Sequence, residues 1–279
     1  MIEIRDFSFT YKNEETPALQ EISLSVPDGG FLGIIGPAGA GKTTLARAVS
    51  GMIPHHYRGD FYGSVTVNGM DTVDASIDEL SRVAGMVFQD VESQIISPMV
   101  EDELLYGLEN FSVPREEIPA RIEEALQKVG IADLRERTIG SLSGGQRQKV
   151  AIASIIALKP QILVMDEPTG ELDPRSSRQV FSLLKELNEE HGVTVIIIEQ
   201  KIMLLCEFAR QLAVLSEGRI VRQGDTRDVL AHSEELEALG VNCPRVTTLS
   251  RALSEKTGEQ QPACINLDEA ETMVRRLIK

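Results

Sequence analysis

The chain of 279 residues has a formal net charge of −15, with 42% hydrophobic and 25% charged residues. This composition is typical of a globular protein with a substantial core. The acidic charge argues against binding to nucleic-acid phosphates or directly to anionic lipid. No stretch approaches the ~20 apolar residues of a membrane span, and residues 1–5 do not begin a signal peptide. We therefore expect a cytoplasmic protein, without direct membrane insertion, whose role at a membrane would depend on a protein partner.

The amino-terminal part of the chain is predicted to be mainly β-structure. Alternating apolar and polar residues predict half-buried strands, and short apolar runs predict buried ones. These patterns give strands at residues 2–5, 22–26, 31–35 and 83–88. Asn68 and Gly69 indicate a tight turn. A helix is predicted from about residue 42 to residue 50, so a glycine-rich loop joins the strand at 31–35 to this helix.

That glycine-rich loop matches the phosphate-binding pattern G-x-x-x-x-G-K-[ST] in the strand–loop–helix context that the pattern requires. Its glycines allow backbone N–H groups to approach phosphates. Lys42 can neutralise the β- and γ-phosphates, and the Thr43 hydroxyl can bind Mg²⁺. The sequence therefore predicts a nucleotide site formed by Gly36, Pro37, Ala38, Gly39, Ala40, Gly41, Lys42, Thr43 and Thr44.

A second phosphate-binding surface is predicted within a mostly helical region from about residue 90 to residue 160. At the start of a helix stand Leu142, Ser143, Gly144, Gly145 and Gln146. A serine followed by two glycines there presents hydroxyl and N–H groups to an anion, with the helix dipole behind them. In a chain with two such surfaces, one of them is expected to contact the nucleotide that a partner binds. The nucleotide site is therefore predicted to be formed by two chains.

Strands and helices alternate again after residue 160. Apolar runs at 162–165 and 193–198 are typical of parallel strands covered on both faces, with a helix predicted at 174–190 between them. Asp166 and Glu167 follow the first run, at the edge of the sheet where ligands bind. Asp166 is suited to hold Mg²⁺ through water, and Glu167 to act as general base for the attacking water. The alternative is a solvated acidic turn.

Two further candidates also stand near strand ends. Gln89 follows an apolar run, where a neutral amide can touch Mg²⁺ and the attacking water; a single glutamine carries little weight alone. Tyr11 can stack on an adenine ring, or it can be an ordinary aromatic residue at the end of a strand.

The last part of the chain, residues 226–279, is predicted to be a small separate unit. It contains short helical patterns, a break at 240–244, a polar link at 258–262 and a final helix for which Asn266 or Asp268 is available as a cap. Both a stabilising appendage and a dimerisation element fit this pattern. The cysteines, at positions 206, 243 and 264, lack the spacing of a zinc site or a disulfide framework.

These motifs resemble those of ATP-binding cassette (ABC) ATPases, both in kind and in their order along the chain, over roughly residues 1–225. The order is Tyr11, the phosphate loop, Gln89, Leu142 to Gln146, Asp166-Glu167 and Leu172-Asp173. The resemblance implies an α/β P-loop NTPase fold with a RecA-like core, an antiparallel β subdomain and a helical subdomain inserted at about 90–160. It also implies that two such domains pack head to tail and enclose ATP and Mg²⁺. Ser143 and Gly145 would then contact the partner's γ-phosphate, Gly144 and Gln146 would belong to the same nucleotide-binding surface, and Asp173 would cross the interface.

A narrower resemblance is to the ATPases of energy-coupling factor importers. It rests on residues 87–94, which include a second glutamine at Gln94, and on the tail segments 236–241 and 244–247. Such importers take up vitamins or transition-metal ions. The resemblance implies a second cassette subunit, a transmembrane coupling subunit and a substrate-binding membrane protein, with this chain at the cytoplasmic face of the cell membrane.

The chain departs from the family where a switch histidine is expected after the run at 193–198. Aligning the segments places Gln200 there. A glutamine amide can donate a hydrogen bond to phosphate, but it cannot become charged or shuttle a proton. We therefore expect slower hydrolysis at the site built on this chain's own phosphate loop.

Other classes remain open from the sequence. An ordinary ABC importer ATPase would form a homodimer, and non-transport ABC ATPases act in DNA repair, chromosome organisation, translation or cofactor assembly. The acidic charge and the lack of a long coiled-coil insertion argue against most of these non-transport hypotheses. A P-loop kinase or a switch GTPase is disfavoured by Leu142 to Gln146.

Overall fold

Strands form two sheets in the computed structural model, which describes residues 1–259 and 261–278. In chain order the strands are β1 (Ile2–Tyr11), β2 (Leu19–Val26), β3 (Phe31–Ile35), β4 (Gly59–Val67), β5 (Met70–Asp71), β6 (Ala84–Val87), β7 (Ile162–Asp166), β8 (Thr194–Ile198), β9 (Gln211–Ser216) and β10 (Arg219–Asp225). The larger sheet has the order β10-β9-β3-β8-β7-β6, with parallel pairing except between β9 and β10. Its carboxyl edge therefore collects the loops that follow β3, β6, β7 and β8.

The smaller sheet is antiparallel, in the order β2-β1-β4-β5. β1 is longer than the predicted strand at 2–5, because β4 pairs with it as far as Tyr11 and Gly59. Between β4 and β5, Asn68 and Gly69 have φ values of 50° and 81° and form the predicted tight turn. This pairing carries Tyr11 to the end of β1, close to the start of the first helix.

Helices cover both faces of the larger sheet. They are α1 (Lys42–Val49), α2 (Met52–His55), α3 (Ile77–Ser81), α4 (Val100–Asn110), α5 (Ile118–Lys128), α6 (Gly144–Ala157), α7 (Pro174–His191), α8 (Ile202–Phe208), α9 (Thr226–Leu230), α10 (Ser233–Ala238), α11 (Arg245–Thr257) and α12 (Leu267–Leu277). The inserted helices α4, α5 and α6 pack on one another between β6 and β7. They match the helical region predicted at about 90–160.

The core lies on the two faces of the larger sheet, as β3 illustrates. Phe31 and Ile35 pack in the cluster that contains the inserted helices and α7, whereas Leu32 and Ile34 pack with α1 and the antiparallel sheet. Successive side chains of a strand point to opposite faces. A strand that is buried on both faces must therefore be apolar throughout, which explains the continuous apolar runs in the sequence.

The segment after β10 packs in two parts. Val229, Leu230, Leu236 and Val241 join the main core, whereas α11 and α12 enclose a smaller cluster of Val246, Cys264, Ala270 and Met273. Asn266 caps α12 by accepting a hydrogen bond from the Glu269 N–H, at 2.9 Å. The division at 225/226 stays a prediction, and Gln260 of the predicted polar link, like Lys279, lies outside the described residues. Within the described part of the chain, none of the helices has the length and apolar character needed to cross a bilayer.

Candidate functional site

The phosphate loop leaves β3 in a conformation that requires glycine. Gly36 and Gly41 have φ values of 156° and 99°. A Cβ on Gly36 would lie 2.1 Å from the carbonyl oxygen of Leu215, and a Cβ on Gly41 would lie 2.5 Å from that of Ala18. Neither contact is sterically possible, so the loop can follow this path only because these positions lack side chains.

Lys42, the first residue of α1, points back into the loop. Its Nζ donates hydrogen bonds to the carbonyl oxygens of Gly36, at 2.9 Å, and Pro37, at 2.8 Å. Burial lowers the pKa of Lys42, and the carboxylates of Glu167 and Asp166 act in the opposite direction. The ammonium group is thus held inside the loop, at the position where phosphates would enter.

Asp166, the last residue of β7, is 2% exposed and lies beside the loop. Burial raises the pKa of Asp166, while a hydrogen bond from Thr43 opposes this rise. Its Oδ1 atom is buried and has no hydrogen-bond partner within residues 1–259 and 261–278. A buried carboxylate oxygen without a partner, next to a threonine hydroxyl, fits the hard oxygen ligands that Mg²⁺ prefers.

Glu167 follows with a φ of 50°, and its N–H donates to the Ile198 carbonyl at 2.9 Å. Its Oε2 accepts from Gln89 Nε2 at 3.2 Å and its Oε1 from Gln200 Nε2 at 2.7 Å. The structure therefore brings together the three side chains predicted from separate strand ends. Both amides act as donors, which leaves the carboxylate oriented and able to accept a proton.

Gln148 belongs to the same arrangement and was missed from the sequence. It is 1% exposed on α6, and its Nε2 donates to the Glu167 carbonyl at 3.1 Å while its Oε1 accepts from the Glu171 N–H at 3.0 Å. A glutamine on the buried face of a helix is the signal that could have identified it, because such a group requires partners. It joins the helix of the second phosphate-binding surface to the Glu167 loop.

The second phosphate-binding surface begins α6. Ser143 is the N-cap residue and forms a capping box with Gln146, in which the Ser143 N–H donates to Gln146 Oε1 at 2.9 Å. The adjoining cleft has a volume of about 450 Å³, and its lining includes Ser143 to Gln146 together with Asp173. A side chain at Gly145 would be crowded, since a Cβ there would lie 3.1 Å from the Glu171 carbonyl oxygen.

Tyr11 lies beside the phosphate loop and its helix, and Glu171 lies beside the start of α6. The Tyr11 hydroxyl lies 3.1 Å from Thr44 Oγ1 and accepts from Arg47 at 2.9 Å, which fixes the ring beside α1; adenine stacking stays a prediction. The carboxylate of Glu171 borders the other surface: a Cβ on Gly144 would lie 3.1 Å from its Oε2. Glu171 thus places negative charge where an anion would approach α6.

A separate cavity of about 420 Å³ lies at the opposite, amino-terminal edge of the sheet, where its lining includes Gln161 and Thr194. The basic residues that line it, Arg121, Lys128 and Lys159, pair with Glu117, Glu124 and Glu186. We place the candidate site at the carboxyl edge, because the phosphate loop and the Glu167 cluster lie there.

Known proteins are similar to this chain over most of its length. A family model described as ABC transporter matches residues 19–170. A putative ABC transporter ATP-binding protein of Pyrococcus horikoshii is 40% identical over 96% of this chain and 94% of its own length. The energy-coupling factor transporter ATP-binding protein EcfA1 of Caldanaerobacter subterraneus subsp. tengcongensis is 38% identical over 92% of each protein.

Solved structures agree with the sequence relatives. The structure of cbiO1 from Clostridium perfringens, described as part of the ABC transporter complex cbiONQ, has a TM-score of 0.74 at 30% identity and covers 90% of this chain and 98% of that one. A dimeric post-hydrolysis state of the ATP-binding cassette MJ0796, bound to ADP and Pi, has a TM-score of 0.72 at 29% identity. The match covers 81% of this chain and 99% of that one. The predicted P-loop NTPase fold is confirmed. The chain belongs to the ABC transporter family and is an ATP-hydrolysing ATPase of that family.

Proposed function

We propose that this chain is the ATP-hydrolysing subunit of an energy-coupling factor importer that takes up a vitamin or a transition-metal ion. The observation that carries the proposal is the presence of two phosphate-binding surfaces in one chain, the loop at Gly36 to Thr44 and the start of α6 at Ser143. Similarity to EcfA1 and to cbiO1, which is part of a cbiONQ complex, supports the importer type.

The chemistry that we propose is in-line hydrolysis of ATP at the phosphate loop. The loop N–H groups and Lys42 bind the phosphates. Glu167 removes a proton from the attacking water while the water oxygen bonds to the γ-phosphorus. The bond between that phosphorus and the bridging oxygen breaks, giving ADP and phosphate. Thr43, Gln89 and Asp166 would hold Mg²⁺, which neutralises charge on the phosphates when bound.

We further propose a head-to-tail dimer with a second, non-identical cassette. The dimeric state of MJ0796 supports this arrangement. In it, Ser143 to Gln146 face the γ-phosphate bound by the partner, and Asp173 reaches across the interface. The α6 surface has its full set of motif residues, with Glu171 beside them, whereas Gln200 stands where the family resemblance implies a titratable histidine at this chain's own site. A non-identical partner would therefore give one faster and one slower site.

Gln200→His is expected to raise ATP turnover at this chain's own site by about tenfold, the equivalent of ~1.4 kcal/mol in the barrier. An imidazole in contact with Glu167 and the γ-phosphate can carry a proton, which the amide cannot. The measurement is the steady-state ATPase rate of the assembled complex with the partner's catalytic base disabled. Gln200→Asn, which keeps an amide, is the control, and a Gln200→His rate equal to that of the parent complex would disprove the effect.

The membrane side of the proposal concerns residues 89–103. This segment starts at Gln89, beside the Glu167 carboxylate, and includes Ile96, which is 69% exposed. An exposed isoleucine in a segment that begins at the Glu167 cluster is available for contact with another protein. We propose that a transmembrane coupling subunit binds here and holds the chain at the cytoplasmic face of the membrane, with a separate membrane protein binding the cargo.

Affinity purification of the tagged chain from membranes, followed by mass spectrometry, tests this function. We expect stoichiometric recovery of a second cassette ATPase and of a small integral membrane protein, with a vitamin or metal ion bound to the cargo subunit. Recovery of a homodimer with two large membrane subunits would favour an ordinary ABC importer. Recovery with soluble or ribosomal proteins would favour a non-transport ABC ATPase.

A further inference from the structure

Lys201 makes three hydrogen bonds that converge on one loop. Its Nζ donates to the carbonyl oxygens of Thr169, at 2.6 Å, and Leu172, at 2.8 Å, and to the hydroxyl of Ser177, at 2.9 Å. An ammonium group has three N–H donors, so all of them are used. Charge-assisted bonds of this kind are stronger than those between neutral groups. Lys201 therefore fixes the path of the chain between Glu167 and the start of α7.

The two residues before Lys201 bind the same loop. Glu199 is 3% exposed, and its Oε1 accepts from Thr169 Oγ1 at 2.9 Å. Gln200 donates to Glu167 at 2.7 Å. Three consecutive side chains at the end of β8 thus contact residues 167–177. Because of these contacts, a displacement of residues 199–201 would also displace the loop within residues 167–177.

The loop between Glu167 and Asp173 carries functional groups at both ends. Asp173 caps α7 by accepting from the N–H groups of Arg175, at 2.9 Å, and Ser176, at 3.1 Å. The Leu172 carbonyl, which Lys201 binds, belongs to the peptide immediately before Asp173. One ammonium group therefore sets the position of the Asp173 backbone relative to Glu167.

We propose that Lys201 is a positioning residue that couples the two ATP sites of the dimer. It ties the switch segment at this chain's own nucleotide to Asp173, which serves the site built on the partner's phosphate loop. The inference rests on the proposed head-to-tail dimer. All three donors of the Lys201 ammonium group are used by residues 169–177, so its effect on the partner's site would pass through the Leu172–Asp173 peptide.

The test uses dimers in which this chain carries Glu167→Gln, so that hydrolysis occurs only at the partner's site. Adding Lys201→Met to this chain is expected to lower kcat at that remaining site by about tenfold, with KM for ATP changed by less than about twofold. Lys201→Arg, which keeps the charge and several donors, should restore most of the rate. Lys185→Met, on the exposed face of α7, is the matched control and should leave it unchanged.

Ser177→Ala provides a second variant that removes only one of the three acceptors, and we expect kcat to fall by roughly threefold. Unchanged kcat at the remaining site in both Lys201→Met and Ser177→Ala would overturn the role of Lys201. So would a loss in Lys201→Met that Lys201→Arg does not restore. The parent Glu167→Gln dimer separates the two proposals: if it shows no ATP-dependent assembly, the dimer itself is wrong, and the coupling fails with it.

Discussion

Glu167→Gln is expected to lower ATP turnover at this chain's own site by about 10³-fold while leaving ATP bound there, because a glutamine amide cannot take the proton of the attacking water. The substitution keeps the size of the side chain, which lies 3.2 Å from Gln89 Nε2 and 2.7 Å from Gln200 Nε2. When the partner's catalytic base is disabled as well, the nucleotide should remain enclosed and the two cassettes associated. Size-exclusion chromatography with ATP and Mg²⁺ and the steady-state ATPase rate of complexes with the disabled partner measure the two effects.

The control for this prediction is Glu190→Gln, which neutralises an exposed carboxylate near the end of α7. It should have the wild-type rate and no ATP-trapped dimer. Turnover of Glu167→Gln within a few-fold of the wild type would mean that another group accepts the proton.

Lys42→Met should abolish ATP binding at this chain's phosphate loop, with Kd raised at least about 100-fold, equivalent to ~2.7 kcal/mol. The variant removes the ammonium group that now binds Gly36 and Pro37 and that would bind the β- and γ-phosphates. The buried Asp166 carboxylate would also lose a compensating charge nearby. Titration with a fluorescent ATP analogue measures the affinity.

Methionine fills the volume of the lysine stem, so the fold should persist and the melting temperature should change by only a few degrees. Lys12→Met, on an exposed lysine just after β1, is the matched control and should bind ATP normally. Wild-type affinity in Lys42→Met would show that the loop binds phosphates through its backbone alone.

Much of the candidate site could be predicted from the sequence, because parallel strands end at one edge of the sheet. Apolar runs placed the strand ends, and the residues after them, Gln89, Glu167 and Gln200, meet in space as that topology requires. The glycine pattern likewise predicted the phosphate loop, and the structure explains it, because Gly36 and Gly41 have positive φ and crowded Cβ directions that select glycine.

The start of β4 and the contacts of Gln148 and Lys201 could not be predicted from the sequence, because they depend on contacts between segments that are distant along the chain. β4 begins at Gly59, before the alternating run at 65–67, and its first part forms because β1 supplies its hydrogen bonds. Gln148 and Lys201 act through carbonyl groups of the Glu167 loop, and a carbonyl is present at every residue. No local pattern marks which carbonyl a buried donor will meet, so these contacts required the structure.

The most direct test of the shared site is Ser143→Asp in the complex purified from membranes, with photolabelling of this chain by azido-ATP beside the ATPase rate. Aspartate preserves the cap of α6 but places negative charge against the partner's γ-phosphate, whereas Ser143→Asn keeps the cap without charge. We predict unchanged labelling of this chain and at least about tenfold slower turnover for Ser143→Asp, with a much smaller loss for Ser143→Asn. Undiminished turnover in Ser143→Asp would contradict a site shared between two cassettes.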